Sequence, residues 1–287
     1  MKGWRAAYVD GRLSNVSRDE PIPPYVDATK ASVARVYDAF LNGTDNYEID
    51  REVLRRIQEV APEATQLGLD NRGFLIRATR FIAGHTGIVQ YLDCGSGLPT
   101  AENTHQVVQR VRPQARVVYL DNDPAVLTHG RALLEENERT HLIDADIFEP
   151  RQVLDNEVVR EHLDFSQPMA LYQCGTLHHY TGSRYADIMR EYIDALAPGS
   201  YVALSHFFDP ETAEDSALAR RMEDIFLHSP MGSGTFRTRG QIEDMLPGLD
   251  LVEPGLVRCA EWRPDGALPE PLPSVSRCIV GAVGRKP

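Results

Sequence analysis

The chain has 287 residues, of which 42% are hydrophobic and 25% charged, and a formal net charge of -12. That is an ordinary globular composition, enough for one large or two small domains. No apolar run is long enough to span a bilayer, the charged start lacks a signal-peptide core, and the acidity argues against a broad nucleic-acid surface. The four cysteines, Cys94, Cys174, Cys259 and Cys278, are scattered without C-x-x-C spacing, which predicts reduced thiols in a cytoplasmic protein and no zinc site.

Residues 1–28 are polar and carry Pro21-Ile22-Pro23-Pro24, so they read as an extended arm. Val33, Val36, Tyr37, Phe40 and Leu41 then recur at helical spacing, and a polar turn follows at Asn42-Gly43-Thr44-Asp45-Asn46. A second helix carries Val53, Leu54, Ile57 and Val60 and stops before Pro62; a third carries Phe74, Leu75, Ala78, Phe81 and Ile82 and stops at Gly84. Residues 29–86 are thus predicted to be a helical cap without strands.

From residue 87 the rhythm becomes strand–helix alternation. Strands are predicted near 88–93, 116–121, 141–144, 169–174 and 201–206. Intervening helices carry Val107, Val108 and Val111, then Val126, Leu127, Leu133 and Leu134 behind Asp123-Pro124, then the apolar stripe of 183–197. A helical insertion near 209–236 presents Leu218, Met222, Ile225 and Phe226, and Thr238-x-x-Gln241 is a capping box. Two last strands, near 251–261 and 274–284, read as an antiparallel edge hairpin. The predicted fold is α/β: a Rossmann-like, doubly wound sheet of seven mostly parallel strands over 87–287, with the N-terminal helical cap.

The first strand ends in Asp93-Cys94-Gly95-Ser96-Gly97 and the second in Asp121. A glycine turn lets backbone approach a ligand, and an acid closing the next strand accepts hydrogen bonds from a ribose diol. Nicotinamide dinucleotides and S-adenosylmethionine both use this arrangement. A dinucleotide fold wants a third glycine where this chain has Thr100, and no Tyr-x-x-x-Lys pair follows the fourth strand. Asp93 suits the cationic amine of a methionine moiety, and Asp144-Ala145-Asp146-Ile147 offers an acid and an apolar residue for the edge and face of an adenine.

Asp93-x-Gly-x-Gly97, Asp121, Asp146-Ile147, the strand ending at Cys174 and the Ala-Pro-Gly turn at 197–199 resemble the ordered motifs of class I S-adenosylmethionine-dependent methyltransferases. Ser32-Val-Ala-Arg-Val-Tyr-Asp38, Asn42 to Tyr47, Asp50-Arg51, Asn71-Arg72-x-Phe-Leu75, Gly97-Leu-Pro-Thr100 and Tyr119-Leu-Asp-Asn-Asp-Pro124 further resemble an uncharacterised actinobacterial family of S-adenosyl methyltransferases. Members of that family mostly carry Gly-Gly-Lys-Asp-Asn where this chain has Asn42-Gly-Thr-Asp-Asn46, so the lysine is lost. The resemblance implies that Asp93 orients the methionine end while Gly95 and Gly97 let backbone pass it. It also implies that Asp121 holds the ribose hydroxyls, Asn122 flanks the adenine, Asp146 takes the adenine amino group and Ile147 lies beside the ring. Gln173 and Cys174 would then lie where methionine amine and substrate meet.

Other positions are candidates on their own chemistry. His178, His179 and His206 follow the fourth and fifth strands, where ligands bind in such folds, and an imidazole can serve as a general base. The turn bearing Asn46 and Tyr47 could close as a lid over the cofactor, and Arg72 could pair with a methionine carboxylate. The expected function is methyl transfer from S-adenosylmethionine to a small-molecule acceptor, with neither nucleic acid nor membrane as partner. The alternatives are an NAD-dependent oxidoreductase and a non-catalytic S-adenosylmethionine-binding regulatory module.

Overall fold

Five apolar strands in parallel register form the centre of the protein: β1 (Gln90–Cys94), β2 (Arg116–Asp121), β3 (Thr140–Asp144), β4 (Ala170–Cys174) and β5 (Tyr201–Phe207). The computed structural model describes residues 27, 29–100, 102–133 and 137–287. The arm expected over 1–28, apart from Asp27, and Leu134 of the expected apolar stripe lie outside the described residues. The strands are buried along most of their length because helices cover both faces, which is why they read as apolar runs rather than alternations.

Three more strands complete the sheet: β6 (Asp250–Leu251), β7 (Val257–Arg258) and β8 (Ile279–Arg285). The order is β3-β2-β1-β4-β5-β8-β6, with β7 also on β8, and β8 runs antiparallel to β5, β6 and β7. Winding reverses direction between β1 and β4. At such a switch point the loops leave the carboxyl edge on opposite sides and open a crevice.

The sheet has eight strands rather than seven because the segment expected as one strand over 251–261 is broken into β6 and β7. Pro254 has no amide to donate to the ladder, and Gly255 turns the chain at φ 86°. Two short helices, α6 (Pro150–Leu154) and α7 (Glu157–His162), occupy a stretch with no expected element. They bury only Pro150, Val153 and Val159, too few apolar positions to show a period.

The N-terminal segment forms α1 (Val33–Phe40), α2 (Glu48–Val60) and α3 (Thr65–His85). Ser32 caps α1 by accepting from the Arg35 amide at 3.3 Å, and Asp50 accepts from the Tyr47 amide at 2.8 Å at the start of α2. Phe40, Val53, Ile57, Leu67, Phe74 and Ile82 of these helices share one apolar core with Tyr91, Tyr119, Tyr172, Ala203 and Val283 of the sheet. The remaining long helices are α4 (Thr104–Val111), α5 (Pro124–Leu133), α8 (Tyr185–Ala195) and α9 (Ala213–Leu227), and the capping box opens the short α10 (Arg239–Glu243). Met222 and Phe226 of α9 join the same core.

Phe74 fastens α3 to the far edge of the sheet. A Cβ at Gly281 on β8 would stand 2.7 Å from its ring, so glycine there is what admits the ring, and Trp262 meets Phe74 edge-on at 5.5 Å. Phe74 is fully buried. Phe74→Ala is expected to lower the free energy of unfolding by about 3–5 kcal/mol, the range for an aromatic truncated in a close-packed core, measurable as a reduced urea midpoint at unchanged slope.

Candidate cofactor and acceptor site

The chain leaves β1 through a turn that folds back over the end of β2. The amides of Gly95 and Ser96 both donate to the Leu120 carbonyl, at 2.8 and 3.0 Å. Gly95 and Gly97 have φ of 82° and 62°, backbone conformations that side chains disfavour. A Cβ at Gly95 would collide with the Thr176 methyl, whereas one at Gly97 would meet nothing within 4 Å. Gly95 is thus required by packing, and the space beside Gly97 is open to a ligand.

Asp121 is gripped by that turn. Its Oδ2 accepts from the Gly97 amide and its Oδ1 from the Asp123 amide, each at 2.9 Å. Burial nevertheless pushes its pKa up to about 6, against the pull of the Asp123 and Gly97 amides. Asp123 caps α5 through the Ala125 amide at 2.7 Å and is bonded by the Ser32 hydroxyl. Ile147 lies on the other side of the turn, its δ1 methyl 3.4 Å from where a Gly95 Cβ would be, and Tyr192 holds its carbonyl at 2.9 Å. Asp146 is exposed and accepts from the Phe148 amide at 2.8 Å; Asn122 is also exposed.

Asp93 ends β1 on the same edge. It is 5% exposed and accepts from the Thr104 hydroxyl at 2.6 Å. Burial raises its pKa to about 6, while Thr104 and the Arg72 guanidinium act to lower it. Arg72 reaches across from α3 and donates to the Glu102 carbonyl at 3.0 Å.

These contacts separate the two cofactor classes. A pyrophosphate needs a helix N-terminus at the glycine turn. Here α4 begins only at Thr104, and two of its first-turn amides, of His105 and Gln106, are already engaged. Asn103 and Gln106 form a capping box, and the His105 amide donates to the Tyr119 hydroxyl at 2.8 Å. The fixed acid at Asp121, the open side of Gly97, the acid at Asp93 and the apolar Ile147 fit a nucleoside joined to an amino acid instead.

Gln173 and Cys174 end β4 as expected, both tied into the protein. Gln173 is fully buried and accepts from Thr176 at 2.6 Å, and the Cys174 thiol, pushed up by burial, lies 3.6 Å from the Ala203 carbonyl. The Asn46 side chain is committed to its own turn: its amide donates to Asp38 at 2.7 Å and to the Gly43 carbonyl at 3.0 Å, and its oxygen accepts from Arg51 at 3.0 Å. Tyr47 lies under the Arg35 guanidinium, 5.5 Å from its ring centroid.

A small cleft of about 40 Å³, open to solvent, lies where α1 and α3 face the turn after β4. Gly175 and His178 lie on the sheet side, Tyr37 and Asn71 on the cap side. Asn71 donates to the Tyr37 hydroxyl at 2.9 Å and accepts from Ser205 at 2.5 Å, and a Cβ at Gly175 would press on it at 2.7 Å. Sequence reasoning missed Tyr37, Asn71 and Phe207 as site residues. Asn71 stands in a quoted motif beside Arg72, but only tertiary contact shows what it bridges.

The three histidines differ sharply. His178 is 3% exposed, borders the cleft and has no hydrogen-bond partner at Nδ1. Burial pushes its pKa well below the ordinary imidazole value. His179 also borders the cleft, with Nδ1 2.9 Å from Ser233 Oγ, and burial lowers it to about 4. His206 is fully buried with both ring nitrogens bonded: the Arg237 guanidinium donates to Nε2 at 2.7 Å, and Nδ1 lies 2.6 Å from the Phe207 carbonyl. Among the described residues no three His, Cys, Asp or Glu side chains converge to hold a metal, and no helix is long and apolar enough to cross a membrane.

The sheet order, the glycine turn and its acids define a class I methyltransferase that uses S-adenosylmethionine. More narrowly, the chain belongs to the S-adenosyl methyltransferase family, whose model matches residues 19–287. It is similar to a candidate methyltransferase from Thermobifida fusca YX, at 42% identity and a TM-score of 0.86, over 92% of this chain and 98% of that one. A DUF574 family protein from Streptomyces avermitilis MA-4680 is similar at 34% identity and a TM-score of 0.83, over 90% and 98%. No curated protein matches the chain.

Buried Asp93 and half-buried Asp121, both raised to about 6, make folding pH-dependent. Between the ordinary carboxyl value of 3.8 and about 6 the folded state binds more protons than the unfolded one, so their share of the stability is greatest below 3.8 and is lost as pH rises through 6. A tenfold change in acidity corresponds to about 1.4 kcal/mol. Asp93→Asn, which can still accept from Thr104, is expected to raise the unfolding free energy at pH 8 and to flatten its decline between pH 4 and 8 in urea titrations.

Proposed function

We propose that the enzyme transfers the methyl group to a small, soluble molecule by holding donor and acceptor in line at the carboxyl edge of the sheet. The observation that carries this reading is the Asp121 carboxylate, fixed by two backbone amides across the open side of Gly97, with a small solvent-open cleft a few residues along the same edge. S-adenosylmethionine supplies, when bound, a methyl group already activated on a cationic sulfur. The protein's task is then mainly positioning, which contributes about 7–11 kcal/mol in the best intramolecular models.

In this reading Asp121 accepts the ribose hydroxyls and Gly95 and Gly97 let the backbone pass the cofactor. Asn122, Asp146 and Ile147 frame the adenine. Asp93 takes the methionine amine and Arg72 its carboxylate, while Gln173 and Cys174 shape the floor beneath. Asn46 and Tyr47 hold the turn between α1 and α2, so that the cap over 29–86 closes on the sheet domain over 87–287. Where the acceptor carries a proton, His178 or His179 receives it, and His206 acts through Arg237 as a positioning residue. The acidic net charge of -12 favours a small molecule over a nucleic acid as acceptor. The four unpaired cysteines favour a reducing, cytoplasmic setting.

Calorimetric titration tests the cofactor assignment. S-adenosylmethionine and S-adenosylhomocysteine are expected to bind and NAD⁺ not to. Asp121→Ala should weaken both by about 100-fold or more, since hydrogen bonds to a charged group contribute roughly 1.5–3 kcal/mol each. Binding of NAD⁺ alone, or undiminished binding to the variant, would overturn the assignment.

A further inference from the structure

The cleft beside β4 has a definite chemistry. Among its described lining residues there is no carboxylate, ammonium or guanidinium. One wall is aromatic: the His178 ring stacks on Phe207 at 3.6 Å and 11°, and Phe207 stacks on Phe226 at 5.5 Å and 18°. Val33, Val36 and Phe40 of α1 and Leu67 of α3 add apolar lining. Tyr37 and Asn71, its other polar residues near the cap, bond each other. Burial lifts the Tyr37 phenol to about 12 and keeps it un-ionised. The Ser233 hydroxyl engages His179 Nδ1.

His178 Nδ1 is different. It is a buried polar atom with no partner, in a residue that borders the cleft. A buried nitrogen left unmatched is costly, so a ligand that supplies the match binds more tightly than one that does not. An ionised ligand would have to shed its water with no opposite charge to meet it, which disfavours its entry.

We propose that this cleft binds the methyl acceptor, and that the acceptor is an uncharged aromatic compound whose hydroxyl or ring N–H donates to His178 Nδ1. The inference rests on the methyl-transfer reading above and adds the substrate class. The rings lie against His178 and Phe207, and the donor group anchors them beside Gly175, one residue from the Thr176 methyl that packs on the glycine turn. Transfer forms a bond from the acceptor heteroatom to the methyl carbon and breaks the sulfur–methyl bond, whose electron pair stays on sulfur. The acceptor's proton passes to His178, which carries the positive charge until solvent takes the proton. A weakly basic imidazole suffices, because the proton becomes strongly acidic as the new bond forms.

The test titrates 2-naphthol and 2-naphthoate as probes, with and without saturating S-adenosylhomocysteine, and follows the His178 ring in ¹⁵N-histidine spectra. Naphthol is expected to bind at least about tenfold more tightly than naphthoate and to shift the His178 Nδ1 resonance. His178→Phe keeps the stack but removes the nitrogen and should weaken naphthol about tenfold; Met231→Trp should fill the cleft and abolish binding. Both variants are checked by circular dichroism and S-adenosylhomocysteine binding; if either fails to fold, the wild-type discrimination and the His178 shift decide. Equal binding of the two probes, or naphthol binding unmoved by folded variants and silent at His178, overturns the proposal. If S-adenosylhomocysteine binds and naphthol does not, the substrate class fails and the methyl-transfer reading stands. If naphthol binds at His178 and S-adenosylhomocysteine does not, the methyl-transfer reading fails, and the acceptor role of the cleft's ligand is overturned with it.

Discussion

The carboxylate of Asp121 is the point to which the rest of the site is tied. One oxygen fixes the Gly97 amide and so the shape of the glycine turn; the other fixes the Asp123 amide. Asp123 in turn caps α5 and holds Ser32, the N-cap of α1. A short chain of hydrogen bonds therefore links the turn, a sheet-flanking helix and the cap. Ala34 of α1, Leu98 of the turn and Val126 of α5 add a small apolar contact on the same line. The acid sits half-buried at a pKa of about 6, costly to ionise, because the packing that fixes the turn also dries it out. Stability is given up where binding is gained, the usual trade at a preorganised site.

A second constraint sets the acceptor side. Arg237 is 4% exposed and bonds two carbonyls of the turn after β4, Leu177 at 3.2 Å and Tyr180 at 2.8 Å, as well as His206. Its guanidinium lies 4.3 Å from the Tyr185 ring centroid. Burial, together with a cation so placed, keeps the His206 imidazole neutral, at about 3. The neutral ring then accepts from Arg237 at one nitrogen and donates to the Phe207 carbonyl from the other. His206 and Arg237 together brace the turn that carries His178 and the strand end that carries Phe207, and so hold the aromatic wall of the cleft.

Much of this is legible in the sequence, for physical reasons that differ by element. Strands β1 to β5 fall within two residues of their predicted bounds because fully buried strands show as uninterrupted apolar runs between turn residues. The cofactor acids and glycines are legible because each has a local job at a strand end. The break within 251–261 is not: the Pro254-Gly255 pair interrupts a run whose apolar positions on either side point to a single strand. His178, His179 and His206 look alike as letters after strands. Only burial and partners separate an imidazole with an unmatched nitrogen from one locked between an arginine and a carbonyl.

The cleft beside β4 is illegible for a deeper reason. Its walls come mainly from α1, α3, the turn after β4, β5, α9 and β8, and apart from the adjacent His178 and His179 its polar residues share no motif that spacing could reveal. Tyr37 and Asn71 are ordinary helix positions until α1 is docked on α3, and Phe207 is an ordinary strand end until His178 stacks on it. A reaction whose donor is already activated asks the protein for placement more than for reactive groups, so selection acts on shape assembled across the fold. The cofactor is the common part and can be written into one strand–turn–strand unit. In the reading proposed above, the acceptor is the particular part, and its cleft is written only in how the cap meets the sheet.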